Sequence, residues 1–135
     1  MSIKIYSSET RKKHDFETVK QGEVSMYVCG PTVYDLLHVG NFRGPVVFNM
    51  IRNWLEKSGY KVTYVYNYTD VDDKIINRAA VNKETPEQLT ERTIGYMHED
   101  VDALNIERPN LEPRVTTHMN EIIAMIETLV AKKHA

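Results

Sequence analysis

Two segments placed one helix apart restrict this chain more than anything else in it: YVCGPTVYDLLHVGN at residues 27–41 and NYTDVDDK at residues 67–74. Residues 23–29 (EVSMYVC) alternate as a half-buried strand does, and Gly30-Pro31 stops them. Beyond the loop, Val46, Val47, Met50, Ile51, Trp54 and Leu55 recur at helical spacing, and Ser58-Gly59 supplies the stop. Residues 61–68 (KVTYVYNY) are β-branched and aromatic with no charge after Lys61, as in an interior strand. The order predicts an α/β fold built on one parallel βαβ unit over about residues 22–82. A right-handed crossover then puts residues 30–41 at the carboxyl edge of the sheet, where such folds bind ligands.

The flanks read more simply. Residues 3–6 (IKIY) predict a short strand and residues 7–21 a loop or hairpin. Residues 83–135 read as a helical segment, which follows a helix over 71–81 and contains helices over 85–104 and about 117–133. Thr85-Pro86-Glu87-Gln88 is a clear start, with a threonine cap, proline in the first turn and glutamine placed for the reciprocal bond. Met119, Ile122, Ile123, Ile126, Leu129 and Val130 form a broad apolar stripe on the last helix, and that stripe needs a partner. Residues 108–114 (RPNLEPR) read as the one internal linker.

With 135 residues and a net charge of −2, the composition fits one globular domain with a core of its own. No apolar run is long enough to span a membrane. The start MSIKIYSSET lacks the basic end and apolar core of a secretory signal, and one cysteine allows no internal disulfide, so a reducing cytoplasm is expected. Lysines and arginines are scattered among acids; if nucleic acid is a partner, this segment is not its main platform.

His38-Val39-Gly40-Asn41 precedes the helix of the βαβ unit. A helix start offers free N–H groups and positive potential to phosphate, and a glycine there lets the backbone approach a ligand. The same potential favours a neutral His38 that donates a hydrogen bond, with Asn41 as a second donor. By themselves a histidine and a glycine at a turn are more often structural. Cys29 is by itself most often a small buried core residue. It could be one zinc ligand, but zinc wants four donors, no second cysteine exists, and the five histidines show no ligand spacing. In Thr69-Asp70-Val71-Asp72-Asp73, capping of the following helix is favoured over a divalent-metal site. Thr69 stands apart, at the carboxyl end of the second strand and beside the expected pocket.

These residues, in this order, resemble the amino-terminal part of the cysteinyl-tRNA synthetase family of class I aminoacyl-tRNA synthetases. The resemblance rests on YVCGPTVYD, the HIGH-type motif HVGN, NYTDVDDKI, MHEDVDALNI and EPRVTTHMNEIIAMIETL, and covers nearly the whole chain. It implies a Rossmann-like half of the catalytic domain, and activation of cysteine with ATP and Mg²⁺ before transfer to tRNA(Cys). His38 and Asn41 would then steady the ATP phosphates, with Gly40 under the adenine. Gly30, Thr32 and Thr69 would line the cysteine and adenylate pocket, and Cys29 would be one ligand of a Zn²⁺ that receives the substrate thiolate. The motif ends in Asn41 where the family has histidine, and Gly44-Pro45 is expected to delay the helix start.

Family members run several times longer. Their second sheet half, remaining zinc ligands, KMSKS loop and anticodon-binding domain lie beyond the sequence given, which implies a truncated piece or a split gene product. The isolated chain is therefore expected to be inactive, to hold no stoichiometric zinc, and to self-associate. Two other readings share the motifs: a ligase that joins cysteine to an amino sugar through the same adenylate, and a non-catalytic nucleotide-binding or regulatory module.

Overall fold

A computed structural model describes residues 3–135. The chain opens with an antiparallel hairpin of β1 (Lys4–Ser7) and β2 (Lys12–Asp15), Ile5 facing His14. Then come β3 (Glu23–Val28), α1 (Val39–Lys57) and β4 (Lys61–Tyr66), with β3 and β4 parallel and Val24 to Val28 paired in step with Val62 to Tyr66. This is the expected βαβ unit. The chain continues through α2 (Asp73–Asn82) and α3 (Pro86–Ala103), a single 3-10 turn at Thr116–His118, and α4 (Met119–Ala131).

Alternation along β4 decides where the core lies. Val62, Tyr64, Tyr66 and, past the strand's end, Tyr68 alternate to one face and are buried, the three tyrosines together with Phe42 of α1 and with Ile94, Met97 and Val101 of α3. The Tyr66 and Tyr68 rings meet edge to face with centroids 6.1 Å apart. On the other face of the pair, Ser25 and Tyr27 are exposed and Thr63 and Val65 only half-buried. A smaller cluster of Ile75, Ala79 and Leu89 joins α2 to α3, and Tyr34 from the loop before α1 packs against it. Among the described residues no helix is long and apolar enough to cross a membrane.

Two features depart from the sequence reading. Residues 108–114 do not form a free linker: Asn110 N–H donates to the Tyr64 carbonyl at 2.8 Å, Tyr66 N–H to Leu111 at 3.0 Å and Tyr68 N–H to Pro113 at 2.9 Å. The segment runs parallel to β4, with bridges Val65 to Leu111 and Tyr68 to Arg114, so β4 is flanked on both sides. Secondly, Gly44-Pro45 does not delay the helix. α1 starts at Val39 and carries Pro45 inside it, which leaves the Asn41 carbonyl without its helical donor. Pro45 is itself buried, and with Tyr64, Tyr66 and Tyr68 it lines a small crevice, so core packing offsets the lost bond. α4 buries none of its residues, so its apolar stripe has no partner among the described residues, as the sequence reading expected.

Candidate active site

The segment between β3 and α1, residues 29–38, has no regular secondary structure and holds most of the expected site residues. Its first half is tied to the end of β4. Gly30 N–H donates to Asn67 Oδ1 at 2.9 Å, Thr69 N–H to the Pro31 carbonyl at 3.1 Å, and Val33 N–H to the Thr69 carbonyl at 3.2 Å. Thr32 and Thr69 form a parallel bridge, so the backbone brings Gly30, Thr32 and Thr69 to one rim. A Cβ on Gly30 would lie 1.7 Å from the Asn67 carbonyl oxygen. Glycine is thus required here by the crossing of the two strand ends. Cys29 falls one residue beyond β3 and is exposed, its Sγ 3.7 Å from the Gly30 carbonyl oxygen.

The second half delivers His38 to the start of α1. His38 is the N-cap: its Nδ1 accepts from Gly40 N–H at 3.0 Å, and its own N–H donates to Asn41 Oδ1 at 3.0 Å. With Nδ1 accepting, the proton of the neutral ring sits on Nε2, free to donate away from the helix. The Asn41 side-chain oxygen Oδ1 is committed to the cap, and its amide Nδ2 is the part left to donate. A Cβ on Gly40 would come within 2.7 Å of His38 Cε1, so this glycine makes room for the folded-back imidazole. The reciprocal cap was readable in principle, since a polar acceptor stands at His38 and an amide three residues later.

The acids after β4 divide. Asp72 caps α2 by accepting from Lys74 N–H at 2.8 Å, and Asp73 lies in the first turn. Asp70 is buried and turned elsewhere, accepting from Thr116 N–H at 3.0 Å and from the Thr116 hydroxyl. Among the described residues no three His, Cys, Asp or Glu side chains converge as a metal site. Cys29 is the one sulfur donor, so these residues do not by themselves fit the four-donor set that zinc requires.

Two clusters escaped the sequence reading. Lys74 Nζ stands 5.7 Å from the Tyr34 ring centroid, and Arg78 ion-pairs with Asp35, so the two motif segments interlock through α2. Nearer the core, Tyr68 OH donates to Glu112 Oε1 at 2.8 Å, and His98 Nε2 lies 3.1 Å from the same carboxylate. Burial, then the Glu112 bond, pushes the Tyr68 phenol far up. Tyr66 is pushed up to about 12, by burial first and then by Tyr64 and Cys29.

A family model described as tRNA synthetases class I (C) catalytic domain matches residues 15–135. Proteins named cysteine–tRNA ligase are similar over 98% of this chain: 60% identical in Colwellia psychrerythraea, 56% in Shewanella woodyi and 53% in Bdellovibrio bacteriovorus. The chain spans only 28–29% of the length of those relatives. With the family model matching all but the first residues, the chain belongs to the class I tRNA synthetase catalytic-domain family, of Rossmann-like fold, in the branch that model describes.

Proposed function

We propose that this chain is the amino-terminal part of a cysteine–tRNA ligase of the cytoplasm, which activates cysteine with ATP and Mg²⁺ and charges tRNA(Cys). The observation that carries the reading is the identity of 53–60% to proteins of that name across nearly the whole chain. In the reaction, an oxygen of the cysteine carboxylate attacks the α-phosphorus of ATP and pyrophosphate leaves. A terminal ribose hydroxyl of the tRNA then attacks the carbonyl carbon of the adenylate, and AMP leaves.

In this reading His38 Nε2–H and Asn41 Nδ2–H donate to phosphate oxygens. Charge grows on those oxygens during the attack, so fixed donors act more on the transition state than on bound ATP. Gly40 leaves the backbone open beneath the adenine. Gly30, Thr32 and Thr69 line the cysteine and adenylate pocket, held against one another by the bonds across the Pro31 to Thr69 crossing. Cys29 supplies one of the four donors that a zinc ion needs, the other three coming from outside these 135 residues.

The test is cysteine-dependent exchange of pyrophosphate into ATP. A complete ligase that contains this segment should catalyse it, and His38→Ala should slow it by about a hundredfold with cysteine KM little changed. The 135-residue chain alone should show no exchange above its own His38→Ala control. Charging of tRNA(Cys), rather than ligation of cysteine to an amino sugar, identifies the acceptor.

A further inference from the structure

We propose that Arg78 of α2 is a positioning residue for His38, acting through Asp35 to hold the end of the irregular segment that delivers the imidazole to the start of α1. The inference rests on the functional reading above and adds to it a part for the helix that follows the second motif.

The two halves of residues 29–38 are anchored differently. Up to Val33, which is fully buried, the segment is fixed by backbone bonds to the end of β4. Past Val33 it leaves the sheet and meets α2. The Tyr34 ring packs on the cluster of Ile75, Ala79 and Leu89, with Lys74 over its face. Asp35 then does two things at once. Its Oδ2 pairs with the Arg78 guanidinium, and its Oδ1 accepts from Leu36 N–H at 2.9 Å. A carboxylate held from both sides has its rotamer fixed, and it fixes the Leu36 peptide, two residues before His38. Leu36 itself is exposed, so burial does not hold its peptide; the next anchor is Leu37, which packs partly buried on the main core.

The gripping geometry follows from the second motif. Asp72 caps α2 and sets where the helix begins. Four residues apart, Lys74 and Arg78 then share one face and meet the adjacent pair Tyr34 and Asp35. Both members of the ion pair are well exposed, 41% for Arg78 and 47% for Asp35. Exposed pairs contribute little to folding, whereas catalysis is sensitive to displacements of an ångström or less. The arrangement is therefore suited to placing a loop more than to holding the protein together.

The experiment compares Arg78→Ala, the charge-swapped double variant Asp35→Arg with Arg78→Asp, and His38→Ala in a complete ligase that contains this segment. It measures exchange kinetics and thermal melting. Arg78→Ala is expected to lower exchange kcat about tenfold, with cysteine KM within about twofold and the melting temperature unchanged, and the swap to recover most of the lost rate. In the 135-residue chain, backbone amide relaxation should show residues 36–41 loosening in Arg78→Ala and tightening again in the swap. A normal rate for Arg78→Ala beside an impaired His38→Ala overturns this inference and leaves the functional reading standing. A rate loss that tracks a fall in melting temperature and is not recovered by the swap overturns it too, as a merely structural effect. Normal exchange in His38→Ala removes the phosphate-contact role of His38 and this inference with it, while the ligase activity itself stands.

Discussion

His38 carries two duties that different substitutions separate. As N-cap it satisfies a backbone donor of α1, and as the bearer of an outward Nε2–H it is the proposed phosphate contact. Asparagine is a strong N-cap but too short to place a donor where Nε2 stands, while alanine can do neither. His38→Ala should thus lower folding stability by about 1 kcal/mol, seen as an earlier urea midpoint with unchanged slope. His38→Asn should keep the midpoint and still lose exchange activity by about a hundredfold in a complete ligase. Equal midpoints for wild type and His38→Ala would show that the cap contributes nothing. The two motif glycines separate in a similar way. Gly30→Ala drives a methyl into the Asn67 carbonyl, a backbone atom that cannot step aside, and should cost about 3 kcal/mol or more. At Gly40 the atom in the way belongs to the exposed His38 ring, so Gly40→Ala should fold normally and lose the cap and the ring position together. The sequence shows that glycines stand at these turns. What each one makes room for is a neighbour in space, an Asn67 carbonyl 37 residues away and an imidazole only two residues before, and in both cases the reason is internal to the chain.

Among the elements, β4 gathers the most consequences. The rings of Tyr64 and Tyr66, and of Tyr68 just past its end, lie in the core and each phenol is pushed up by burial, Tyr64 despite the opposing charge of Arg52 and Tyr66 to about 12. A folded state that keeps these protons when the unfolded chain releases them is stabilised fully below the ordinary tyrosine value of 10.0 and loses that stability as pH climbs towards about 12. Denaturation midpoints at rising pH should stay level to about pH 10 and then fall, and phenolate absorbance should appear in step with the loss of helical circular dichroism. Tyr66→Phe should soften the fall. Phenolate absorbance that rises while the fold stays intact would show that these rings titrate freely. β4 and α1 were legible because hydrophobic period and β-branching are local signals. The segment beside β4 was not, because prolines at 109 and 113 argue against a strand. The structure uses what proline retains: the Pro113 carbonyl accepts from Tyr68, and Asn110 contributes its side-chain oxygen to Tyr64 N–H at 2.7 Å. Pro45 misled for a related reason. Periodicity places a proline within a helix but says nothing of the buried crevice that compensates for it.

At the scale of the whole molecule the apolar surface is divided unevenly. α1, α3 and β4 enclose the aromatic core, while α4 leaves Met119, Ile123, Met125, Ile126, Leu129 and Val130 between 39% and 67% exposed. Two of the exposed side chains of α1, Met50 and Trp54, add to the open apolar area, and β3 pairs with β4 on one side only. Contiguous apolar patches and unpaired strand edges drive association. Covering a handful of half-exposed aliphatic side chains would gain about 1 kcal/mol or more each, enough to offset part of the cost of joining two molecules. The chain should accordingly form dimers or larger species in sedimentation experiments as concentration rises. The helix face and the strand edge can be told apart by one substitution. Ile126→Glu puts a charge in the middle of the α4 stripe at a position that is not buried within the chain, so it should leave the melting temperature unchanged. If α4 makes the self-contact, this variant sediments as a monomer where the unaltered chain does not. If both associate alike, the contact lies at the β3 edge or on the α1 face, and the apolar stripe of α4 is not what joins the molecules. A clean monomer of the unaltered chain at high concentration would refute the association itself.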